Sequence, residues 1–235
     1  MCTVSFVATN SGFVITSNRD ETALRSADFP REYIVNNHKI FYPKDPLAGG
    51  TWYAVNQNGT VAVLLNGAAD KHEHCPPYNR SRGLVVLEIL AAANPFLQWQ
   101  SIDLNNVEPF TIVLFQQKKL YQLRWNGIDK STENLAIDKN HIWSSSTLYN
   151  SEIRRKRASW FFDFVAGKNK ISSEDLLNFH ENTHSENSEN GLVINRNNVL
   201  KTLSITQSIV SENQITLRHK DLLDNKTSEI EINIK

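Results

Sequence analysis

Strand-length apolar runs joined by tight-turn signals occupy both ends of this 235-residue sequence, and helical periods fill its middle. The clearest pair is Thr51 to Val55 and Thr60 to Leu65, set about Asn58-Gly59, a dipeptide that takes the positive φ values of a tight hairpin turn at little cost. Thr3 to Ala8 and Gly12 to Ser17 flank Asn10-Ser11-Gly12, which predicts a hairpin at the very start of the chain. Phe110 to Phe115 and Lys119 to Trp125 form another pair, and Thr202 to Val210, Gln214 to His219 and Glu229 to Ile234 read as three more strands. Strands this short and this closely linked pair antiparallel, and each sheet they build must bury one face against another layer.

The middle supplies those layers. Ser81 to Ala93 carries apolar residues at Leu84, Val85, Leu87, Ile89 and Leu90, and Pro95 is read as its stop. Ser151 to Ala166 is basic in its first half (Arg154, Arg155, Lys156, Arg157) and aromatic in its second, with Gly167 as C-cap. The basic run reads as a solvated face, with binding of an anion such as a phosphate or coenzyme tail as the alternative, and the aromatic set reads as core. Ser172 and Asp175 have capping-box spacing ahead of a short helix through Phe179, and Glu181 to Asn190 reads as a polar loop. The expected class is α+β, one domain over residues 1–235, with antiparallel sheets covered by helices.

Composition excludes several functions. Lys and Arg together number 25, as do Asp and Glu, so no net field draws the chain to nucleic acid or an anionic membrane surface. The two cysteines, Cys2 and Cys75, are no disulfide framework and fit a reducing compartment. With neither a signal-peptide pattern nor a membrane-length apolar run, a cytoplasmic protein is expected. His72, His74 and Cys75 cluster beside Pro76-Pro77, but no second ligand pair follows at metal-like spacing, so no metal and no cofactor are expected.

Cys2 bears the chemistry. Removal of Met1 would leave its thiol and a free α-amine on one residue, and an amine titrating near ~8 can act as base for its own nucleophile. From the residues alone, Arg19 and Asp20 read as an ion pair closing a turn, and Asn66 before Gly67 as a left-handed turn residue.

Several motifs stand in order over the first third of the chain. These are Met1-Cys2-Thr3, Asn18-Arg19-Asp20-Glu21, Gly49-Gly50-Thr51-Trp52-Tyr53-Ala54-Val55 with Asn58-Gly59-Thr60, Leu65-Asn66, and Arg80-Ser81-Arg82-Gly83. They resemble the NRDE family, also called the Transport and Golgi organisation 2 family, which is similar to the cysteine N-terminal nucleophile hydrolases of choloylglycine hydrolase and penicillin V acylase type. The resemblance implies an αββα sandwich with Cys2 as nucleophile at the tip of the first strand. It implies further that Arg19 lowers the thiol pKa or anchors a carboxylate, that Asp20 orients the α-amine, and that Asn66 donates to the oxyanion. Asn18 and Lys201 are the candidate substrate contacts.

The chain departs from the hydrolase pattern at three places. Arg19 and Asp20 are adjacent, where the hydrolases separate the two; Ser146 stands where a second Asn is expected; and Lys201 or Leu203 stands where a late-strand Arg is expected. Two expectations follow: a hydrolase or acyltransferase of a small amide or thioester, or a non-catalytic binding protein for an amphipathic ligand such as haem or acyl-coenzyme A.

Overall fold

The computed structural model describes residues 3–9 and 12–234; Cys2 and the Asn10-Ser11 turn lie outside them. Among the described residues the chain forms two antiparallel sheets, packed face to face and covered on their outer sides by helices. The first sheet comprises β1 (Thr3–Thr9), β2 (Gly12–Thr22), β10 (His141–Ser144), β11 (Asn195–Arg196), β12 (Leu200–Val210), β13 (Gln214–Asp221) and β14 (Lys226–Asn233). Its order is β10-β1-β2-β12-β13-β14, with β11 beside β12. The second sheet runs in chain order from β3 (Asp28–Val35) through β4 (His38–Lys44), β5 (Tyr53–Asn56), β6 (Val61–Asn66), β7 (Phe110–Gln116) and β8 (Lys119–Trp125) to β9 (Lys130–Leu135).

Strand alternation sorts the side chains of β1 and β2 between two cores. Val4, Phe6 and Ile15 enter the large core between the sheets, whereas Val7 and Val14 join Phe161, Leu176, Phe179 and Leu192 under the helices. Those helices are α3 (Ser151–Ala166) and α4 (Ser173–Asn182); α1 (Arg82–Leu90) covers the second sheet beside β5 and β6, followed by α2 (Pro95–Ser101). The α4 capping box forms as its spacing predicts, Ser172 Oγ accepting from Asp175 N at 3.1 Å. Pro95 is not a simple stop. It occupies the first turn of α2, where its missing N–H costs nothing, and Asn94 caps that turn by accepting from Phe96 N and Leu97 N. Gly167 closes α3 in a right-handed conformation (φ −75°), not a left-handed one. No helix among the described residues is long and apolar enough to cross a membrane.

A buried polar triad fastens α4 to the first sheet. His180 Nδ1 donates to Asn18 Oδ1, which is an acceptor only; Nε2 therefore accepts from Ser5 Oγ at 2.7 Å. Asn18 spends its amide on the carbonyls of His180 (3.0 Å) and Leu192 (2.8 Å). Burial, reinforced by the Arg157 charge, pushes His180 down to about 3, and burial pushes His219 down to about 4. Above the unfolded histidine value near ~6.5, neither state holds the protons. Below it the unfolded chain binds protons that the folded chain refuses, so stability falls with pH by about 1.4 kcal/mol per unit for each histidine until the folded values are reached. Thermal unfolding is therefore expected to shift downward steadily from pH 6.5 to pH 4.5; a flat melting temperature over that range would exclude neutral buried histidines.

Candidate active site between the sheets

The end of β6 reaches the mouth between the two sheets, and its alternate residues wall two cavities. Leu64 and Asn66 line one of about 90 Å³, while Leu65 and Gly67 line a second of about 160 Å³. Backbone contacts fix the turn between them. Ser145 Oγ donates to Asn66 O at 2.7 Å, Thr111 Oγ1 to Gly67 O at 2.9 Å, and Gly67 N to Pro109 O at 3.0 Å. The left-handed residue of this turn is Gly67 (φ +82°), not Asn66, and a Cβ at Gly67 would lie 2.2 Å from Ser146 Oγ. Only glycine meets both conditions.

Arg19 fills one wall of the smaller cavity with 1% of its surface exposed. Its guanidinium lies 4.3 Å over the Trp52 ring, donates to Arg25 O at 2.7 Å and pairs with Asp45 at 3.3 Å. Asp45 is fixed in turn, because its second oxygen accepts from Leu47 N and Ala48 N, both at 3.1 Å. Arg82 closes the opposite wall, held by Glu108 at 2.9 Å. The start of α1 comes this close to the strand only because Gly50 and Gly83 meet; a Cβ on Gly50 would sit 2.4 Å from the Gly83 carbonyl carbon. Three buried polar atoms of its lining residues make no hydrogen bond among the described residues: Trp52 Nε1, Ser81 Oγ and Asn66 Oδ1. Buried polar atoms are ordinarily satisfied, which sets this group of residues apart from the rest of the interior.

Asp20 does not pair with Arg19. Neighbours on a strand point to opposite faces, and Asp20 faces the helices while Arg19 faces the second sheet. The Asp20 carboxylate accepts from Tyr149 Oη at 2.7 Å and from Thr202 Oγ1 at 2.6 Å. A bulge in β12 makes this possible, since Thr202 stands opposite Asp20, Ser204 opposite Arg19, and Leu203 is the additional residue. The Tyr149 hydroxyl is held far above its usual range by burial and by the Asp20 charge, so it stays a donor. Beneath that ring lies Arg157, fully buried and 3.6 Å from the centroid, donating to Thr3 Oγ1, Gly191 O and Asn190 O. The chain Thr202–Asp20–Tyr149–Arg157–Thr3 thereby fixes the described beginning of β1.

The structure thus brings Arg19 and Asn66 into one cavity and places Asp20 on the reverse face of β2. Asn18 lies on that reverse face too, with its amide committed to α4. Ser146 lines the larger cavity and donates its hydroxyl proton to Asp70 O at 3.0 Å. Lys201 stands opposite Glu21 in β12 and lines neither cavity. His72 and His74 both turn to Glu108, and no group of three or more His, Cys, Asp or Glu residues among the described residues is placed to hold a metal. Tyr149, Thr202 and Arg157 had not been singled out as site residues. One signal for Arg157 was available, since Arg154, Arg157 and Phe161 recur at helical spacing of three and four along the face that α3 turns inward.

Solved structures share this architecture. A Caenorhabditis elegans N-acylethanolamine-hydrolyzing acid amidase ortholog superposes with a TM-score of 0.61 at 11% identity, over 88% of this chain and 92% of that one. A mutant of the conjugated bile acid hydrolase from Clostridium perfringens gives 0.58 at 10% identity, over 99% and 92%. The fold is accordingly N-terminal nucleophile hydrolase-like, as the resemblance implied. No curated protein matches the chain. The family model described as Transport and Golgi organisation 2 matches residues 1–233, and the chain belongs to that family.

Proposed function

We propose that the protein is an N-terminal cysteine hydrolase or acyltransferase acting on a small amide or thioester. One observation carries the reading: the Asn66 side chain, which makes no hydrogen bond among the described residues, shares a cavity with the buried Arg19. Cys2 is outside the described residues, but it is one peptide unit from Thr3, and Cα atoms across a trans bond are about 3.8 Å apart. The bile acid hydrolase neighbour carries alanine in place of a cysteine at its own second position, which adds support.

In this reading, loss of Met1 frees the α-amine of Cys2, which takes the thiol proton. The thiolate adds to the substrate carbonyl carbon, and the oxygen that becomes negative accepts from Asn66 Nδ2. Breaking the carbon–nitrogen or carbon–sulfur bond returns the proton from the ammonium to the leaving group and leaves a thioester on Cys2. Water, or an acceptor nucleophile, then gives a proton to the same amine and adds to the thioester carbonyl carbon; the carbon–sulfur bond breaks, the acyl group leaves, and the ammonium returns its proton to the Cys2 thiolate. Arg19 favours the thiolate through its fixed charge. Asp20 has lone pairs left beyond the two it has committed, and it balances the ammonium form. Both cavities at Asn66 are well below the ~300 Å³ of a typical pocket for a drug-sized ligand, which suits the reacting end of a substrate better than an enclosed haem.

Intact mass and acyl trapping test the proposal together. The purified protein is expected to lack Met1, and a β-lactam acyl probe at neutral pH should modify Cys2 at least about tenfold faster than the exposed Cys75. Retained Met1, or equal labelling of the two thiols, overturns it.

A further inference from the structure

The larger cavity beside Asn66 holds two guanidinium groups that its own walls leave unmatched. Arg124 projects from β8 and Arg154 from the first turn of α3, and both line it together with Trp143 and Ser144. Arg124 is half-buried, makes no hydrogen bond or ion pair within 4 Å among the described residues, and its Nε is shut off from solvent. Arg154 donates Nη1 to Ala69 O at 2.8 Å, but its Nε is likewise buried without a partner. The acidic groups acting on Arg124, Glu133 and Asp70, do so only at a distance, and Glu133 is already engaged with Gln122 at 2.7 Å. Burial works against the Arg124 cation most, Glu133 offsets part of that, and the neighbouring Arg154 charge adds to it. A structural role would supply a carboxylate within reach; here both side chains line the cavity and no carboxylate lies within 4 Å of either among the described residues.

We propose that this cavity is a subsite for a compact oxyanion, a carboxylate or phosphate carried by the molecule whose reactive carbonyl reaches Asn66. Guanidinium forks bind either group through paired N–H donors. The volume, about 160 Å³, is far above the roughly 10–15 Å³ a single water needs and accommodates such a group with a short stem. The strand end sets the distance, because Asn66 and Gly67 are adjacent and face the two cavities in turn. This deepens the hydrolase reading by making the substrate anionic, and it also predicts binding that needs no turnover.

Calorimetric titration of the full-length Cys2→Ala protein tests it with three probes: N-octanoylglycine, the phosphate monoester of N-octanoylethanolamine, and neutral N-octanoylethanolamine. At least one anionic probe is expected to bind about tenfold or more tighter than the neutral one and to weaken as salt rises. Arg124→Gln and Arg154→Gln should each weaken the anionic probe by about ten- to a hundredfold and leave the neutral probe unchanged. Preference between the two anions identifies the group. Equal affinity for all three probes, equal loss of the neutral probe in the variants, or no saturable anionic binding overturns the subsite. Should Arg124→Gln fail to fold, Arg154→Gln at its half-exposed helix position decides the same question. Anionic binding without acylation of Cys2 in the mature protein would retain the subsite and discard the hydrolase, and the reverse result would do the opposite.

Discussion

Replacing Arg157 by methionine is expected to lower stability by about 3–5 kcal/mol, among the largest effects of any single substitution in the chain. Methionine keeps much of the apolar stem and removes the guanidinium. Gly191 O then loses its donor in a buried region, the half-buried Asn190 O loses one too, and Thr3 Oγ1 keeps only its contact with Ser144 Oγ at 3.2 Å. An unsatisfied buried acceptor costs roughly 1–3 kcal/mol, and loss of the cation stacked on Tyr149 adds to that. The Asp20 charge would also lose the buried cation on the other side of the Tyr149 ring. For a domain of this size the melting temperature should fall on the order of 10 °C. Arg155→Met, exposed on the same helix, is the control and should stay within about 0.5 kcal/mol. A melting temperature for Arg157→Met close to that of the control would show that Arg157 is not what ties α3 to β1.

That residue also marks where sequence reading stops. The hairpin of β1 and β2, the β7–β8 pair and the bounds of α3 follow from periodicity and turn chemistry, because hydrophobic alternation and one buried face go together. β3 and β4 escaped because Pro30 and Pro43 interrupt their strand patterns, half of β3 is exposed, and their turn is Asn36-Asn37 (φ 47° and 63°), a weaker signal than Asn-Gly. β9, Lys130 to Leu135, is an edge strand held by its ladder to β8, and its hydropathy is that of a loop. At the site, the ordered motifs single out Arg19 and Asn66, and both line one cavity. Strand alternation by itself separates Arg19 from Asp20, so the ion pair read from their adjacency was excluded by period two. The helical spacing that turns Arg157 inward does not show what it meets there, however, and nothing local pairs Arg124 with Arg154 across 30 positions. Those relations exist only once both sheets have closed over α3 and the turn after β6.

Replacing Asn66 by alanine is expected to cut turnover about 10²- to 10³-fold while leaving substrate affinity and stability nearly unchanged. Its carbonyl oxygen, not its side chain, holds the turn against Ser145. The amide makes no hydrogen bond among the described residues, so truncation removes no folding contact and relieves a buried Oδ1 that lacks a donor. On the proposed hydrolase function its use is toward the substrate, and a donor fixed beside a cation contributes most where negative charge develops, in the transition state rather than the bound substrate. Steady-state kinetics and thermal unfolding separate the cases. A kcat loss with KM and melting temperature held fits an oxyanion donor. A KM rise with kcat held would make Asn66 a ground-state contact, and a melting temperature fall of several degrees would make it structural. Asn66→Asp should be at least as damaging, because a carboxylate there offers the nascent oxyanion a like charge and no donor.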